Sequence, residues 1–202
     1  MKHYEPKAFT IPVLQGISAN TIDEHLKLYV GYITHSNLVL DKIAELSTDA
    51  EEAMPVLSGL QKRFGFEYNG MRNHEVYFGS LEGGAHPLSE TSDLRKAVSA
   101  EWGSFEAWLA LFKAIATTRG VGWAMLYYDR KEHRLLNAWV DEQHLGQLQD
   151  CTPLLALDMW EHAFITDYSP RGKKQYIEDY FANMNWTVIE QRFLELKKQV
   201  NE

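Results

Sequence analysis

Apolar side chains recur with the period of an α-helix through the first third of the chain. Residues that cap helices come first, and the apolar positions that follow fall mostly three or four residues apart, at Ile22, Leu26, Tyr29, Ile33, Val39 and Ile43. This pattern predicts one long helix that ends near Ser47. A second helix is predicted from about Leu57 to Leu81, because Gly83 and Gly84 follow it. Two long helices joined by a polar turn predict an antiparallel hairpin.

Further helical patterns lie on both sides of a different central pattern. Residues 94–118 carry aromatic and aliphatic side chains at helical spacing, and Gly103 predicts that they form two helices. After Pro170 and Gly172 the helical pattern returns, with its packing face at Tyr176, Tyr180, Phe181, Ile189, Phe193 and Leu196.

The central pattern between these helices is typical of β-strands. Runs at 122–128 and 135–140 are separated by a polar turn, and a third apolar run at 153–157 has the length of a buried strand. The sequence therefore predicts an α+β protein, with an N-terminal antiparallel α-helical hairpin and a C-terminal α/β unit containing a small three-stranded antiparallel sheet. We place the boundary between residues 1–88 and residues 89–202.

Composition and charge exclude several classes of protein. The 202 residues carry a formal net charge of −8, which is the wrong sign for binding a nucleic-acid backbone. The longest apolar run is far shorter than a membrane-spanning helix, and residues 1–11 lack the apolar core of a secretion signal. Cys151 is the single cysteine, so a disulfide framework within one chain and a Cys-based metal site are excluded. We therefore expect a cytoplasmic protein without nucleic-acid or membrane partners.

Two acids and a histidine stand close together where the third strand ends. Asp158 leaves an apolar strand four residues before His162, and Glu161 and Trp160 lie between them. Acidic side chains are rarely buried without a partner, so this cluster is unusual beside aromatic residues. It fits a structural ion-pair network as well as it fits a metal or acid–base site.

Histidines on the two predicted helices could complete such a site. His25 lies on the first helix and His74 on the second, although a lone helical histidine is more often a packed core or surface residue. Three imidazoles and the Asp158 carboxylate would suit Fe, Mn or Zn and leave a position free for water or substrate. The polar surroundings of four other histidines favour surface positions: His3, His35, His86 and His133.

The chain resembles the iron/manganese superoxide dismutases from residue 17 to Phe193, as a divergent member. The most specific match is the segment 158–163, which is similar to the family signature D-x-W-E-H-A. Shorter matches occur in the same order and spacing as in the family, among them Asn73-His74, Gly83-Gly84, Phe105, residues 120–124, Thr152-Pro153 and residues 183–186.

The resemblance implies an enzyme that converts superoxide to O2 and H2O2 at one Mn or Fe ion. It implies metal ligands at His25, His74, Asp158 and His162. It also implies an entry-channel role for Tyr32, an aromatic or tyrosine shell at Trp123, Trp160 and Tyr77, and a basic residue near the entry funnel at Arg192. A homodimer or a dimer of dimers is implied as well, in which Glu161 reaches His162 of the partner subunit.

The first helix departs from the family pattern. His25 and Tyr32 are seven residues apart, where most members have eight and a His-His pair between. Seven residues are two regular turns, so we predict a helix without a π-bulge here. Ile165 stands where the family has a contacting tyrosine, and Phe78 and Met125 replace tryptophans. These losses support an alternative, a non-catalytic metal-binding or interaction protein with the same fold; an iron oxygenase fits less well, since four protein ligands leave fewer open positions.

Metal preference in this family depends on a glutamine that bonds the metal-bound water. Iron-type members commonly carry it before the second ligand, where this chain has Gly70. Manganese-type members carry it after the second strand, and counting back 15 positions from Asp158 reaches Gln143, with His144 beside it. The pattern favours manganese with Gln143 in this role, while His144 could hold the position instead, and a plain polar turn is the third possibility.

Overall fold

The N-terminal part is an antiparallel pair of long helices. The computed structural model describes residues 2–199. Met1, the first residue of the predicted N-terminal unit, and residues 200–202, the last of the predicted C-terminal unit, lie outside the described residues. Helix α1 spans Ala19–Leu46 and is capped by Ser18, whose side chain accepts a hydrogen bond from the Thr21 amide. It is one uninterrupted α-helix, which confirms the prediction of a bulge-free helix.

The second helix begins earlier than predicted. Helix α2 spans Ala50–Gly79 and starts seven residues before Leu57, after a single 3-10 turn at Ser47–Asp49. Pro55 lies inside it. Proline removes one backbone donor and normally interrupts a helix, so the sequence pattern alone pointed to a later start. The predicted helical hairpin is confirmed. The two helices are joined by the 3-10 turn alone, without a longer polar loop.

The sheet and the helices that precede it follow the predicted pattern. Helices α3 (Asp93–Trp102) and α4 (Phe105–Ala116) are separated at Gly103, whose φ of +85° ends the first of them. Strands β1, β2 and β3 form an antiparallel sheet in the order β2-β1-β3, and their bounds are Gly122–Asp129, Arg134–Asp141 and Cys151–Asp158. The α+β class is therefore confirmed.

The predicted C-terminal helical segment is divided into two helices. Helix α5 covers Lys173–Ala182 and α6 covers Trp186–Gln199. Between them, the Asn183 amide donates to the Gln15 carbonyl and the Asn185 amide donates to the Glu82 carbonyl. These distant partners, which periodicity does not reveal, fix the break.

One hydrophobic core joins the hairpin, the sheet and the last helices. Tyr77 of α2, Trp123 of β1 and Tyr180 of α5 are fully buried members of the same cluster. A boundary at residue 88 remains a prediction. No helix within residues 2–199 has the length and apolar character to cross a membrane. The core holds α2 against β3 and α1 against the 3-10 turn Glu161–Ala163 that follows β3, where the candidate site lies.

Candidate metal centre

The end of β3 places a carboxylate in the protein interior. Asp158 is the last residue of β3, pairs with Trp123 on β1 and is completely buried. Its Oδ1 accepts a hydrogen bond of 2.8 Å from the Trp160 amide. That bond fixes the carboxylate and leaves Oδ2 directed at the helical hairpin.

Two histidines reach the same point from the hairpin. His25 on α1 and His74 on α2 are both fully buried, and their ring centroids lie 4.9 Å apart. Tyr77 and Phe78 pack against His25, each at 4.9 Å between ring centroids. The inner faces of the two helices therefore hold both imidazoles in a dry aromatic environment.

Four side chains converge around one carboxylate oxygen. The Nε2 atoms of His25, His162 and His74 lie 3.1, 3.2 and 3.6 Å from Asp158 Oδ2. The four candidate ligand atoms all lie within 4.8 Å of one another. The convergence expected from the sequence is thus present in the structure. Three imidazole nitrogens and one carboxylate oxygen are a donor set that suits Mn, Fe or Zn.

A buried nitrogen at the centre fits a bound cation. His74 Nδ1 donates to the Gly70 carbonyl at 2.6 Å, which leaves the Nε2 lone pair facing the cluster. Within the described chain, that Nε2 is buried and has no hydrogen-bond partner. Buried polar atoms are normally paired, and a metal ion would satisfy this one. The residues present therefore fit a bound Mn or Fe ion.

The ionisation of the cluster matches the needs of metal binding. Burial lowers the pKa of His74 to about 3, and burial also lowers the pKa of His25. Burial alone would raise the pKa of Asp158, but the charge and hydrogen bond of His162 together with His25 outweigh it, so the pKa lies below its ordinary value. These shifts favour neutral His25 and His74 and an ionised Asp158 at neutral pH, which are the forms that bind metal.

A chain of hydrogen bonds runs beside the cluster. Trp123 Nε1 donates to Gln143 Oε1 at 2.8 Å, and Gln143 Nε2 donates to the Tyr32 hydroxyl at 2.9 Å. Gln143 is fully buried, and the Tyr32 ring lies 5.0 Å from the ring of His74. Burial and then the charge of Asp158 raise the pKa of Tyr32, so its hydroxyl keeps its proton at neutral pH.

Gln143 and His144 face different surroundings. The His144 ring lies 5.9 Å from the ring of Phe66, and its Nδ1 is buried without a partner in the described chain. Gln143 is the one that bonds Tyr32. A β-carbon added to Gly70 would lie 2.5 Å from Tyr32 Cδ1, so α2 has no room for a side chain at that position.

The aromatic residues implied by the resemblance lie around the cluster. The Tyr77 hydroxyl accepts a hydrogen bond of 3.1 Å from Tyr176, and Trp160 stacks on His162 at 5.7 Å between ring centroids. Glu161 lies next to these groups in sequence but points to the exposed surface.

Arg192 occupies a different place from the one expected. Its guanidinium donates to the Val76 and Leu154 carbonyls and to Ser80 Oγ. A β-carbon on Gly79 would overlap it, so this arginine packs tightly between α2 and β3. Arg192 therefore joins two elements of the fold, and it does not line the opening beside Tyr32.

That opening contains groups that the sequence analysis passed over. A cavity of about 450 Å³ lies between α1 and α2 and is lined by Tyr32, His35, Arg63 and Glu67, among others. Glu67 is seven residues before His74, so the two-turn spacing that relates His25 to Tyr32 also places Glu67 on the inner face of α2. A search of α2 for acidic residues seven positions from His74 would have identified Glu67 from the sequence.

Comparison with known proteins agrees with this geometry. Residues 90–192 match the model of the C-terminal domain of iron/manganese superoxide dismutases. An iron superoxide dismutase of Cupriavidus metallidurans is 34% identical over 183 residues, covering 89% of this chain and 90% of that protein. An iron superoxide dismutase of Tetrahymena pyriformis is 31% identical, covering 85% and 88% of the two chains. A manganese superoxide dismutase of Mycobacterium intracellulare is 32% identical, covering 84% and 80%.

Proposed function

This chain belongs to the iron/manganese superoxide dismutase family, and on that premise we propose that it dismutates superoxide at a single Mn or Fe ion. The ion would be held by His25, His74, Asp158 and His162. The observation that carries the proposal is the convergence of three imidazole nitrogens on Asp158 Oδ2 within 3.6 Å.

The ion and the protein contribute different parts of the chemistry. When bound, Mn or Fe supplies the one-electron oxidation and reduction that convert two superoxide ions into O2 and H2O2. The protein holds the ligands in place and provides the protons that H2O2 requires. The buried aromatic walls formed by Tyr77, Phe78 and Trp123 exclude bulk water from the ligands.

Tyr32 and Gln143 position a proton at the edge of this centre. Because the Tyr32 oxygen accepts from Gln143 Nε2, its own proton can be donated in another direction. Trp123 holds the far end of the Gln143 side chain and prevents it from rotating away. We propose that Tyr32 and Gln143 deliver protons to the reacting oxygen species.

We further propose that manganese is the preferred metal. Gln143 reaches the site from beyond β2, as in the manganese-type pattern, whereas Gly70 leaves no space for a glutamine from α2. The relatives named above include both iron and manganese enzymes, so the proposal rests on this chain's own residues.

Loading the protein with single metals tests the function and the preference. Metal-free protein reconstituted with Mn, Fe or Zn would be assayed for superoxide consumption at equal metal content. We expect catalytic consumption with Mn, less with Fe and none above background with Zn, because Zn has no redox change. Failure of both the Mn and the Fe forms would contradict the function and favour the non-catalytic alternative; a faster Fe form would contradict the metal preference.

We also propose a homodimer in which Glu161 contacts His162 of the partner subunit. Glu161 is exposed and directly precedes a candidate ligand, while Ile165 is an exposed hydrophobic residue three positions after that ligand. Sedimentation equilibrium at micromolar concentration should give twice the chain mass of 23.3 kDa. A monomer would contradict the proposal, and a fourfold mass would indicate a dimer of dimers.

Location and unit organisation are proposals of the same kind. A cytoplasmic location fits the single unpaired cysteine, Cys151, and cell fractionation that recovers the protein outside the cytoplasm would contradict it. Two units meeting near residue 88 would be cut first at that point by a dilute protease. Preferential cleavage elsewhere would contradict the boundary.

A further inference from the structure

A buried carboxylate lies beside the opening, and one of its two oxygens has no partner. The side chain of Glu67 is only 2% exposed, and Oε1 forms an ion pair of 2.5 Å with Arg63. Oε2 is buried and has no hydrogen-bond partner in the described chain. A buried carboxylate oxygen without a hydrogen bond destabilises the folded state. Its presence in the structure therefore needs a functional explanation.

The free oxygen faces a histidine at the rim. His35 Nδ1 lies 3.9 Å from Glu67 Oε2, while the His35 side chain is 58% exposed to solvent. This distance is too long for a direct hydrogen bond, but a small rotation of His35 or one water molecule would close it. A protonated His35 would complete the pairing that Glu67 lacks.

The same cavity connects this pair to Tyr32. Tyr32 and His35 are three residues apart on α1, and both line the opening together with Glu67. The Tyr32 ring lies directly over Gly70, one turn after Glu67 on α2. A proton released at His35 therefore enters a space that Tyr32 also lines.

The other charged groups that line the opening are paired with each other. Glu24 and Lys27 of α1 line the opening and form an exposed ion pair of 2.6 Å with each other. From α2, Arg63 and Glu67 are likewise paired. Histidine is the side chain whose ordinary titration falls between pH 5 and 8.

We propose that His35, held by the Glu67 carboxylate, collects protons from solvent and supplies them through this opening to Tyr32. This proposal rests on the proposed dismutase function, which consumes two protons for each H2O2 formed. Protonated His35 keeps its Nδ1 proton on Glu67, gives up its Nε2 proton toward Tyr32, becomes neutral and takes a new proton from solvent. Glu67 is paired with Arg63 and acts as a positioning residue. The pair would replace the histidine that the family carries between the first ligand and the channel tyrosine.

Two substitutions with a matched control test this role. His35→Gln and Glu67→Gln would be compared with His3→Gln, because His3 is also an exposed histidine on a carboxylate, 2.9 Å from Asp41, but does not line the opening. Superoxide decay would be followed by pulse radiolysis from pH 6 to pH 9 in H2O and D2O at matched metal loading.

The expected difference depends on pH. At pH 6 both variants should be about tenfold slower than wild type with a smaller solvent isotope effect, and at pH 9, above the ordinary titration range of histidine, all forms should agree. His3→Gln should match wild type throughout. Wild-type behaviour of His35→Gln at pH 6 would overturn the proposal. So would a deficit that high salt removes while the isotope effect is unchanged, since that would indicate attraction of the anion alone.

A spectroscopic measurement separates this inference from the dismutase function. In zinc-loaded protein labelled with 15N, the His35 Nδ1 resonance should report a hydrogen bond to a carboxylate and should move in Glu67→Gln. An unchanged resonance would overturn the pairing. A shifted resonance in a protein without superoxide activity would support the pairing and reject the proposed function.

Discussion

Asp158→Asn is expected to fold but to lose its metal and its superoxide activity. The asparagine has the same shape, so the packing at the end of β3 is retained, but its neutral amide cannot replace the ionised Oδ2 on which three imidazoles converge. Loss of even an outer partner of a ligand typically costs about 10- to 100-fold in metal affinity, so loss of the ligand should cost more than about 100-fold. Metal content after dialysis and superoxide consumption would be measured together.

Asp129→Asn is the matched control for this substitution. Asp129 is also the last residue of a strand, but its side chain accepts hydrogen bonds from the turn amides of Lys131 and Glu132 and lies away from the cluster. An asparagine can accept the same bonds, so metal content and activity should stay at wild-type levels. An Asp158→Asn protein that keeps a full complement of metal would show that the ion is bound elsewhere.

Gly70→Ala is expected to displace Tyr32 and reduce the superoxide activity at least about tenfold. The new β-carbon would lie 2.5 and 2.6 Å from Cδ1 and Cε1 of the Tyr32 ring, which is closer than such atoms can approach. The ring must move, and its bond to Gln143 is lost with it. Overpacking of this kind typically costs about 1–3 kcal/mol of stability, and the loss of a positioned proton donor slows the proton-dependent steps.

Gly59→Ala provides the comparison on the same helix. A β-carbon at Gly59 would meet nothing within 4 Å, so alanine there should raise the stability of α2 by about 0.5–1 kcal/mol. Thermal unfolding would measure both variants, and their activities would be compared at matched metal loading. If Gly70→Ala were as stable as Gly59→Ala and fully active, the position of Tyr32 would not matter for activity.

The candidate ligands could be predicted because they depend on local regularity. Spacing of seven residues places His25 and Tyr32 on one face of a regular helix, and the structure has that helix. Asp158 ends an apolar strand, so the sequence pattern alone predicts that it lies at the end of a buried strand. Resemblance to the family then joined these separate elements into one site.

The features that sequence could not predict depend on contacts between distant segments. The break between α5 and α6 is fixed by bonds from Asn183 to Gln15 and from Asn185 to Glu82. Arg192 was expected near the entry funnel because the family resemblance implied it, but the Val76 and Leu154 carbonyls and Ser80 Oγ hold it within the fold. The helical pattern of a sequence shows on which face of the helix a side chain lies. It does not show which distant segment of the chain packs against that face.

Anomalous X-ray diffraction from crystals of the Mn-loaded protein tests the central claim most directly, because it locates the ion independently of any assay. Data collected on both sides of the manganese absorption edge should show one strong peak per chain, about 2.0–2.2 Å from the Nε2 atoms of His25, His74 and His162 and from Asp158 Oδ2. A peak at any other place, or no peak in protein that still consumes superoxide, would contradict the account.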